Sequence, residues 1–372
     1  MITWLAAIPL IPVWHDEFGL SDDQAGLVLS SYSLAVLVCA IPAGWVADRI
    51  GARRLTLIAA GVFVLVAPSI AFADTFALLL VVRVVQGACS AVVWSAGLAW
   101  LSSAVGPEHR PRSLSIANTA AGFATVGGPL LGGPIVSAIG IGPAFVGLGC
   151  LLALFVVWGI VEPGGESGVV ARGDRIGPFA SLRKAVAPGL LQVSFLSIGF
   201  VALMMAAIQL VAPLHLAALG LSSSAIGWFF TVGSALSVCS LLVVARLGAR
   251  LNYLLVLIAL PSICGACVLL LLIPLGPIGY GTVLVVVLAL AAPIFTIAYT
   301  VCADGAQQAG VGEGGAFGML NAIWAIGSVV APVVAGVLTQ HGVAWIIYGF
   351  VGLLSFVVSW LLTRSRAVGA LA

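Results

Sequence analysis

The segment Gly44-Trp45-Val46-Ala47-Asp48-Arg49-Ile50-Gly51-Ala52-Arg53-Arg54 joins two long apolar stretches, residues 25–45 and 55–72. It carries three arginines and one aspartate, whereas the two stretches carry no charged residue. A helix needs about 20 residues to cross the roughly 30 Å hydrocarbon core of a bilayer. The segment is therefore predicted to be a short polar connection between two membrane-spanning helices.

Apolar stretches of this kind recur along the whole chain. Of the 372 residues, 62% are apolar, 7% are charged and the net charge is +2, whereas soluble domains carry about 25% charged residues. The composition excludes a soluble domain, and so small a net charge does not favour nucleic acid as a partner. We predict an all-α polytopic membrane protein with 12 transmembrane helices. The predicted spans are residues 1–14, 25–45, 55–72, 76–101, 116–139, 142–161, 190–216, 225–244, 254–275, 279–302, 315–338 and 343–362.

The basic residues predict how these helices are oriented. Thirteen of the fourteen Lys and Arg residues lie in connections on one side, and the exception, Arg83, lies inside a span. Short connections rich in Lys and Arg are retained in the cytoplasm. The chain is thus predicted to be a multi-pass protein of the cell (inner or plasma) membrane with both termini in the cytoplasm. Residues 1–14 are too short for a full span and are interpreted as the outer part of a truncated first helix.

An internal repeat divides the chain into halves. Gly19-Leu20-Ser21 matches Gly220-Leu221-Ser222, and Pro129 matches Pro332. The predicted domains are an N-terminal six-helix bundle (1–161), a cytoplasmic linker (162–189), a C-terminal six-helix bundle (190–364) and a cytoplasmic tail (365–372).

Three motifs in these spans are similar to those of a known family. Residues 44–54 fit G-x-x-x-D-R-x-G-R-R except at Ala52, Arg83 with Gln86 and Gly87 fits R-x-x-Q-G, and residues 128–133 fit G-P-x-x-G-G. With them the chain resembles the major facilitator superfamily over essentially its whole length, and its drug:proton antiporter and vesicular-amine-like branch most of all. The resemblance implies two pseudo-symmetric six-helix bundles with a substrate site near mid-membrane.

For the first motif, the resemblance implies a gate between helices 2 and 3. Asp48 would face the N-terminus of helix 11, which carries a partial positive charge, and would latch the cytoplasmic side in the outward-open state. The alternative is a solvated connection whose arginines only set the topology. The gating residues are Gly44, Asp48, Arg49, Gly51, Arg53 and Arg54.

For the second motif, the resemblance implies that Arg83, Gln86 and Gly87 take part in proton coupling. A guanidinium inside a span costs about 2.5–3.5 kcal/mol on insertion scales unless it faces a cavity or a partner, so Arg83 is expected to point inward. No Asp or Glu lies deep in a complete predicted span. The proton carrier is therefore expected to be Asp16 or Glu17, opposite Arg83, or to be missing with the truncated part of helix 1. The alternative is an arginine hydrogen-bonded to neighbouring backbone carbonyls.

The third motif, Gly128, Pro129, Gly132 and Gly133, resembles a mark of antiporters that export their substrates. Pro129 removes a backbone donor, and the glycines permit close helix contact. A plain packing kink is the alternative.

Polar and aromatic residues near the middle of the spans predict a substrate cavity, although each could equally serve helix packing. Because few charges are available there, a hydrophobic or weakly cationic substrate fits best. The cavity residues are Tyr32, Trp94, Asn118, Gln209, Tyr299, Asn321 and Trp324.

Together these features predict a proton-coupled exporter that works by alternating access and acts as a monomer in the lipid bilayer. The proton gradient would be its energy source, and no cofactor or metal is expected. An enzyme is not expected, because the sequence shows no metal-ligand spacing and no nucleophile with a nearby base. The alternatives are an importer or uniporter of a small nutrient and, from a different class, a non-transporting membrane receptor with the same fold.

Overall fold

The computed structural model describes residues 2–103, 121–161, 189–247, 251–309 and 313–364, and the regular elements in these ranges are all helical. This confirms the predicted fold class. We number the twelve helices α1 to α12. Their bounds are α1 Ile2–Phe18, α2 Asp22–Ile50, α3 Ala52–Ser69, α4 Phe76–Ser103, α5 Ala121–Ile139, α6 Ile141–Val161, α7 Leu190–Ala218, α8 Ser223–Leu247, α9 Tyr253–Leu270, α10 Pro277–Ala309, α11 Glu313–Gln340 and α12 Trp345–Arg364.

Ten of these helices are long and apolar enough to cross a membrane. The other two are shorter: α1 has 17 residues, and the apolar part of α9 is Leu255–Leu270. A helix satisfies its backbone hydrogen bonds internally, as a segment without access to water requires. The chain is therefore a multi-pass membrane protein.

The described residues fall into two compact units. Unit 1 lies within residues 1–172 together with 222–231, and unit 2 lies within residues 173–221 and 232–372. The first residues of α8 thus group with unit 1. The predicted linker lies outside the described residues except for Gly189, and the predicted tail lies wholly outside them.

Unit 1 is built around α4. This helix packs against α2 on one side and α3 on the other, and α6 covers α3. The short helix α1 lies against α5 and α2. Its small side chains Ala6 and Ala7 are fully buried, which brings its backbone close to its neighbours.

Unit 2 is built around α7. The most apolar window of α7 is 78% buried, against 22–44% for the other nine candidate spans. It packs against α10, α11 and α12, while α9 packs against α12 and α10. A helix that is apolar on all sides is one that other helices surround, so α7 forms the core of this unit.

The corners after α1 and α7 are alike. Gly19 and Gly220 have φ angles of +59° and +87°, in the left-handed region that glycine adopts without strain. Ser21 and Ser222 then directly precede α2 and α8. The repeated Gly-Leu-Ser sequence therefore forms the same turn twice.

Candidate functional site

The signature segment at residues 44–54 forms two helices joined by one residue. α2 continues to Ile50, α3 begins at Ala52, and Gly51 between them has φ +92° and ψ 135°. The polar connection predicted from the sequence is therefore mostly helical, with Asp48 and Arg49 in the last turn of α2. The surroundings of Gly44 and of the Asp48 side chain lie outside what the structure describes, so the predicted latch stays a prediction.

Arg53 ties the start of α3 to the end of α6. Its Nη2 donates to the carbonyl oxygens of Gly159 at 2.9 Å and Ile160 at 3.3 Å. Its guanidinium also lies 6.0 Å from the centre of the Trp100 ring. The last carbonyls of a helix lack partners inside the helix and carry a partial negative charge, so a guanidinium stabilises them. Arg54, by contrast, is exposed.

Arg83 on α4 is fully buried inside unit 1. Its Nη1 donates to the Thr3 carbonyl at 3.1 Å and to Gln86 Oε1 at 3.2 Å, and its Nε donates to the Val28 carbonyl at 3.4 Å. The Tyr32 ring centre lies 4.7 Å from the guanidinium carbon. Among the described residues, Nη2 has no hydrogen-bond partner. Arg83 thus points inward. Two of its three hydrogen-bond acceptors are backbone carbonyls, as in the alternative given with the prediction.

Gln86 and Gly87 complete this site. Gln86 is fully buried, and its Nε2 donates to the Val66 carbonyl at 3.3 Å. A Cβ on Gly87 would overlap the carbonyl oxygen of Tyr32, so glycine permits the contact between α4 and α2. The R-x-x-Q-G motif therefore joins α1, α2, α3 and α4 through one polar cluster.

The acidic residues predicted to face Arg83 lie elsewhere. The Asp16 side chain is 87% exposed and lies 3.6 Å from His15 Nδ1, while Asp22 lies 3.5 Å from His15 Nε2. Glu17 is exposed too. Ion pairs in the described part of the chain do not include Arg83, so the structure does not bring Arg83 together with Asp16 or Glu17. The reason is geometric: Arg83 contacts Thr3, at the opposite end of α1 from the two carboxylates.

The third motif lies where α5 changes its helical register. Residues Leu131–Ile135 form a π-helical turn that contains Pro134. Pro134 has no N–H to donate to the carbonyl of Leu130, four residues before it, and such a lost bond disrupts regular α-helix. π-Turns inside α-helices occur frequently at functional sites.

The glycines of this motif make backbone contacts. A Cβ on Gly132 would overlap the Ala6 carbonyl oxygen, and a Cβ on Gly128 would overlap Leu5. A Cβ on Gly133 would lie 2.5 Å from the Cα of Gly227, at the start of α8. Within unit 1, α5 therefore lies directly against the backbones of α1 and α8.

Three of the predicted cavity residues form one cluster in unit 2. Tyr299 on α10 donates its hydroxyl hydrogen to Asn321 Oδ1 on α11 at 2.5 Å. The Phe295 ring lies 4.7 Å from the Tyr299 ring and 5.2 Å from the Trp324 ring, the latter edge-on. We call Phe295, Tyr299, Asn321 and Trp324 the aromatic cluster. Its rings are only partly buried, so they offer aromatic surface beside one amide group.

Sequence reasoning missed Phe295, the ring that joins the other two. The available signal was its spacing, since Phe295 precedes Tyr299 by one helical turn and such residues share a helix face. The remaining predicted cavity residues are not part of this cluster. Tyr32 and Gln209 are buried in unit 1 and unit 2, Trp94 is 43% exposed on α4, and Asn118 lies outside the described residues.

Comparisons with known proteins agree with this architecture. The family model described as Major Facilitator Superfamily matches residues 1–314. Among solved structures, a bacterial homologue of the human lysosomal transporter Spinster, in an inward-facing and occupied conformation, has a TM-score of 0.72 at 16% identity and covers 98% of this chain and 94% of its own. At that identity the likeness concerns the fold alone.

Curated relatives are similar over shorter regions. A multidrug resistance protein B homologue from Mycobacterium tuberculosis is 32% identical over 33% of this chain and 23% of its own length. The multidrug export protein EmrB from Haemophilus influenzae is 30% identical over 41% of this chain and 31% of its own. The MFS-type transporter ppzB from Metarhizium majus is 35% identical over 34% and 28%. The chain thus spans about a quarter to a third of the length of these relatives.

Proposed function

This chain belongs to the Major Facilitator Superfamily, and on that premise we propose that it exports a small hydrophobic or weakly cationic compound by proton-coupled antiport and alternating access. Family membership and the names of the relatives indicate a transporter rather than an enzyme. Two of those names specify multidrug resistance or export. The direction of transport, the substrate class and the coupling to protons are our proposals.

The aromatic cluster is the observation that carries the substrate class. Phe295, Tyr299 and Trp324 present ring faces and edges, and Asn321 adds a single amide. Aromatic faces attract cations through their quadrupoles, by about 0.5–2 kcal/mol. The cluster itself contains no charged residue, so a strongly anionic substrate would find no counter-charge in it. A flat apolar molecule with a delocalised positive charge fits these groups.

Arg83 supports the coupling to protons. In the part of the chain that the structure describes, Arg83 has no carboxylate partner, and such a buried guanidinium makes its surroundings unfavourable for a second positive charge. A carboxylate that approached Arg83 in another conformation would be stabilised in its ionised form, and would take up a proton when it moved away. Such alternation would bind and release a proton in each transport cycle.

Accumulation of a lipophilic cationic dye in cells that express the chain tests the proposed export and its substrate site. We expect dye accumulation to fall and a protonophore to restore it. Trp324→Leu should weaken the apparent affinity roughly tenfold, because a lost cation–π contact is worth about 1–2 kcal/mol. Trp158→Leu is the matched control, since this tryptophan is 55% exposed on α6, outside the cluster.

Arg83→Gln tests the coupling. The variant is expected to bind dye without a gradient as the parent does, but to lose protonophore-sensitive export. A purely structural role would instead lower dye binding and thermal stability together, and Arg83→Lys would then restore neither. If the protonophore does not change dye accumulation in cells that express the parent chain, an importer, a uniporter or a non-transporting receptor would be favoured.

A further inference from the structure

A lateral pocket in unit 2 is separate from the aromatic cluster and from the signature motifs. It lies among α7, α11 and α12 and has a volume of about 290 Å³. Its floor consists of the buried side chains of Ala331, Ile347 and Val351. Its rim consists of four residues that are 40–56% exposed. The rim residues are Val330, Val334, Ile346 and Phe350. Leu203 and Leu338 complete the lining.

The pocket follows from small side chains opposite a proline. Pro332 on α11 cannot donate a backbone hydrogen bond, so it relaxes the helix at this level. Its neighbour Ala331 has only a methyl group, and Leu203 of α7 lines the same pocket. α11 and α12 meet at the short connection of residues 341–344 and line the pocket with residues one turn apart. The result is a groove that runs along α11 from Leu338 to Val330, about 12 Å at 1.5 Å per residue.

The chemistry of the lining restricts the occupant to hydrocarbon. Every lining side chain is apolar, so a ligand with polar atoms would lose hydration there without gaining a hydrogen bond. The groove is also continuous with the surface that faces the bilayer, since its rim lies on exposed apolar positions of two membrane-spanning helices. Its length of about 12 Å approaches the roughly 15 Å hydrocarbon depth of one leaflet.

One end of the groove lies beside groups typical of a membrane interface. Trp345, at the start of α12, is 60% exposed, and His341 lies in the adjacent connection. Exposed tryptophans at helix ends prefer the level of the lipid headgroups. A lipid whose acyl chain enters at Ile346 and runs toward Val330 would therefore have its headgroup beside Trp345.

We propose that this pocket binds one acyl chain of a phospholipid as a specific site, distinct from the mobile lipid around the protein. The occupant fills the space between α7, α11 and α12 and stabilises their packing. Transported substrate does not occupy it.

Photolabelling of the full chain in phosphatidylcholine vesicles tests the proposal. The probe is a phosphatidylcholine with a diazirine in its acyl chain, and mass spectrometry maps the labelled residues. We expect labelling at the pocket residues to exceed, several-fold, the labelling of Leu151 and Leu154 on α6, which are 65% and 66% exposed to the same bilayer. Equal labelling per exposed residue would overturn the proposal.

Filling the pocket supplies the matched comparison. Val334→Trp on the rim, or Val330→Phe as a second variant, should abolish the excess labelling. Val337→Trp should leave it unchanged, because Val337 is 43% exposed on the same helix but lies outside the lining. Excess labelling that survives in both pocket variants would contradict the site.

Two further experiments distinguish a phospholipid from other sources of the acyl chain. A diazirine fatty acid that labels the pocket more than the phospholipid would overturn the phospholipid as occupant. Displacement of the phospholipid label by a saturating concentration of the exported dye would assign the pocket to substrate and overturn the proposal. We expect the fatty acid to label the pocket less than the phospholipid does, and the dye to leave the phospholipid label in place.

Discussion

The contact of α5 with α1 and the contact of α11 with α7 are built from corresponding residues but differ in how close the backbones come. Gly128 and Gly132 of α5 abut Leu5 and the Ala6 carbonyl, leaving no room for a side chain. At the positions that correspond through Pro129 and Pro332, α11 has Ala331 and Ala335, which are 2% and 0% exposed. Unit 1 thus holds this pair of helices by backbone contact at two glycines, whereas unit 2 has buried methyl groups at the corresponding positions. In unit 2 a close approach lies at Gly327 instead, where a Cβ would lie 2.7 Å from Ala202 Cβ on α7.

Unit 2 places its closest contact between a different pair of helices. A Cβ on Gly265 of α9 would overlap the Ser355 hydroxyl and lie 2.5 Å from Ser355 Cβ on α12. The corresponding pair in unit 1, α3 and α6, is less tight, since a Cβ on Gly149 would lie 3.0 Å from Pro68 and one on Gly159 would lie 2.6 Å from Leu57 Cδ2. The repeat therefore preserves the helix arrangement, whereas the pair of helices with the closest contact differs between the two units. The lateral pocket lies beside one of these alanines, Ala331.

Of the substitutions that test this comparison, Gly132→Ala should destabilise the protein most. The new methyl group meets a backbone carbonyl, which cannot rotate away, so α1 and α5 must separate. We expect a loss of about 1–3 kcal/mol in unfolding free energy, the usual cost of overpacking, measured by thermal unfolding in detergent. Gly122→Ala on the same helix is the control, because nothing lies within 4 Å of its new methyl group. Equal melting temperatures for the two variants would refute the backbone contact.

Gly265→Ala should cost less, about 1–2 kcal/mol, because the obstacle is a side chain. Adding Ser355→Gly removes that obstacle, so the double variant should lose less stability than the sum of the two single variants. Ser355→Gly alone loses the hydrogen bond that Ser355 Oγ donates to the Gly352 carbonyl at 2.6 Å and adds the cost of glycine inside a helix. Gly349→Ala, which meets nothing within 4 Å, serves as control. A double variant whose loss equals the sum of the Gly265→Ala and Ser355→Gly losses would refute the contact.

Ala335→Gly should have the smallest effect. Glycine costs about 1 kcal/mol relative to alanine inside a helix, and the close contact of Gly327 on α11 with Ala202 on α7 is unchanged. Ala325→Gly, at a half-buried position of α11, measures the backbone cost alone. If Ala335→Gly were more stable than the parent, α11 would be free to close onto α7, and the difference between the units would vanish.

The fold was predictable from the sequence because hydropathy alone sets the number of spans, and the repeat follows from matched residues such as Gly19 and Gly220. The helix ends were less accurate. α2 extends five residues beyond its predicted end at residue 45 and includes Arg49, because long basic side chains can reach polar surroundings while their backbone stays helical.

The site was predictable only residue by residue. The sequence indicated that Arg83 must turn inward, but the acceptors Thr3 and Val28 lie on other helices and offer backbone carbonyls, which every residue carries. No side-chain pattern could have identified them. Tyr299, Asn321 and Trp324 were selected as polar or aromatic residues in apolar spans, whereas Phe295 looks like any other apolar residue until the helices are placed together.

The single-residue joint at Gly51 also constrains how the protein is made. One residue cannot reach across roughly 30 Å of hydrocarbon, so the end of α2 and the start of α3 emerge on the same face during insertion. The connections from α1 to α2 and from α3 to α4 are three and six residues long, still too short to cross the bilayer, and the same reasoning applies to them. The first four helices therefore insert with one shared orientation, and Arg49, Arg53 and Arg54 are the residues predicted to set it.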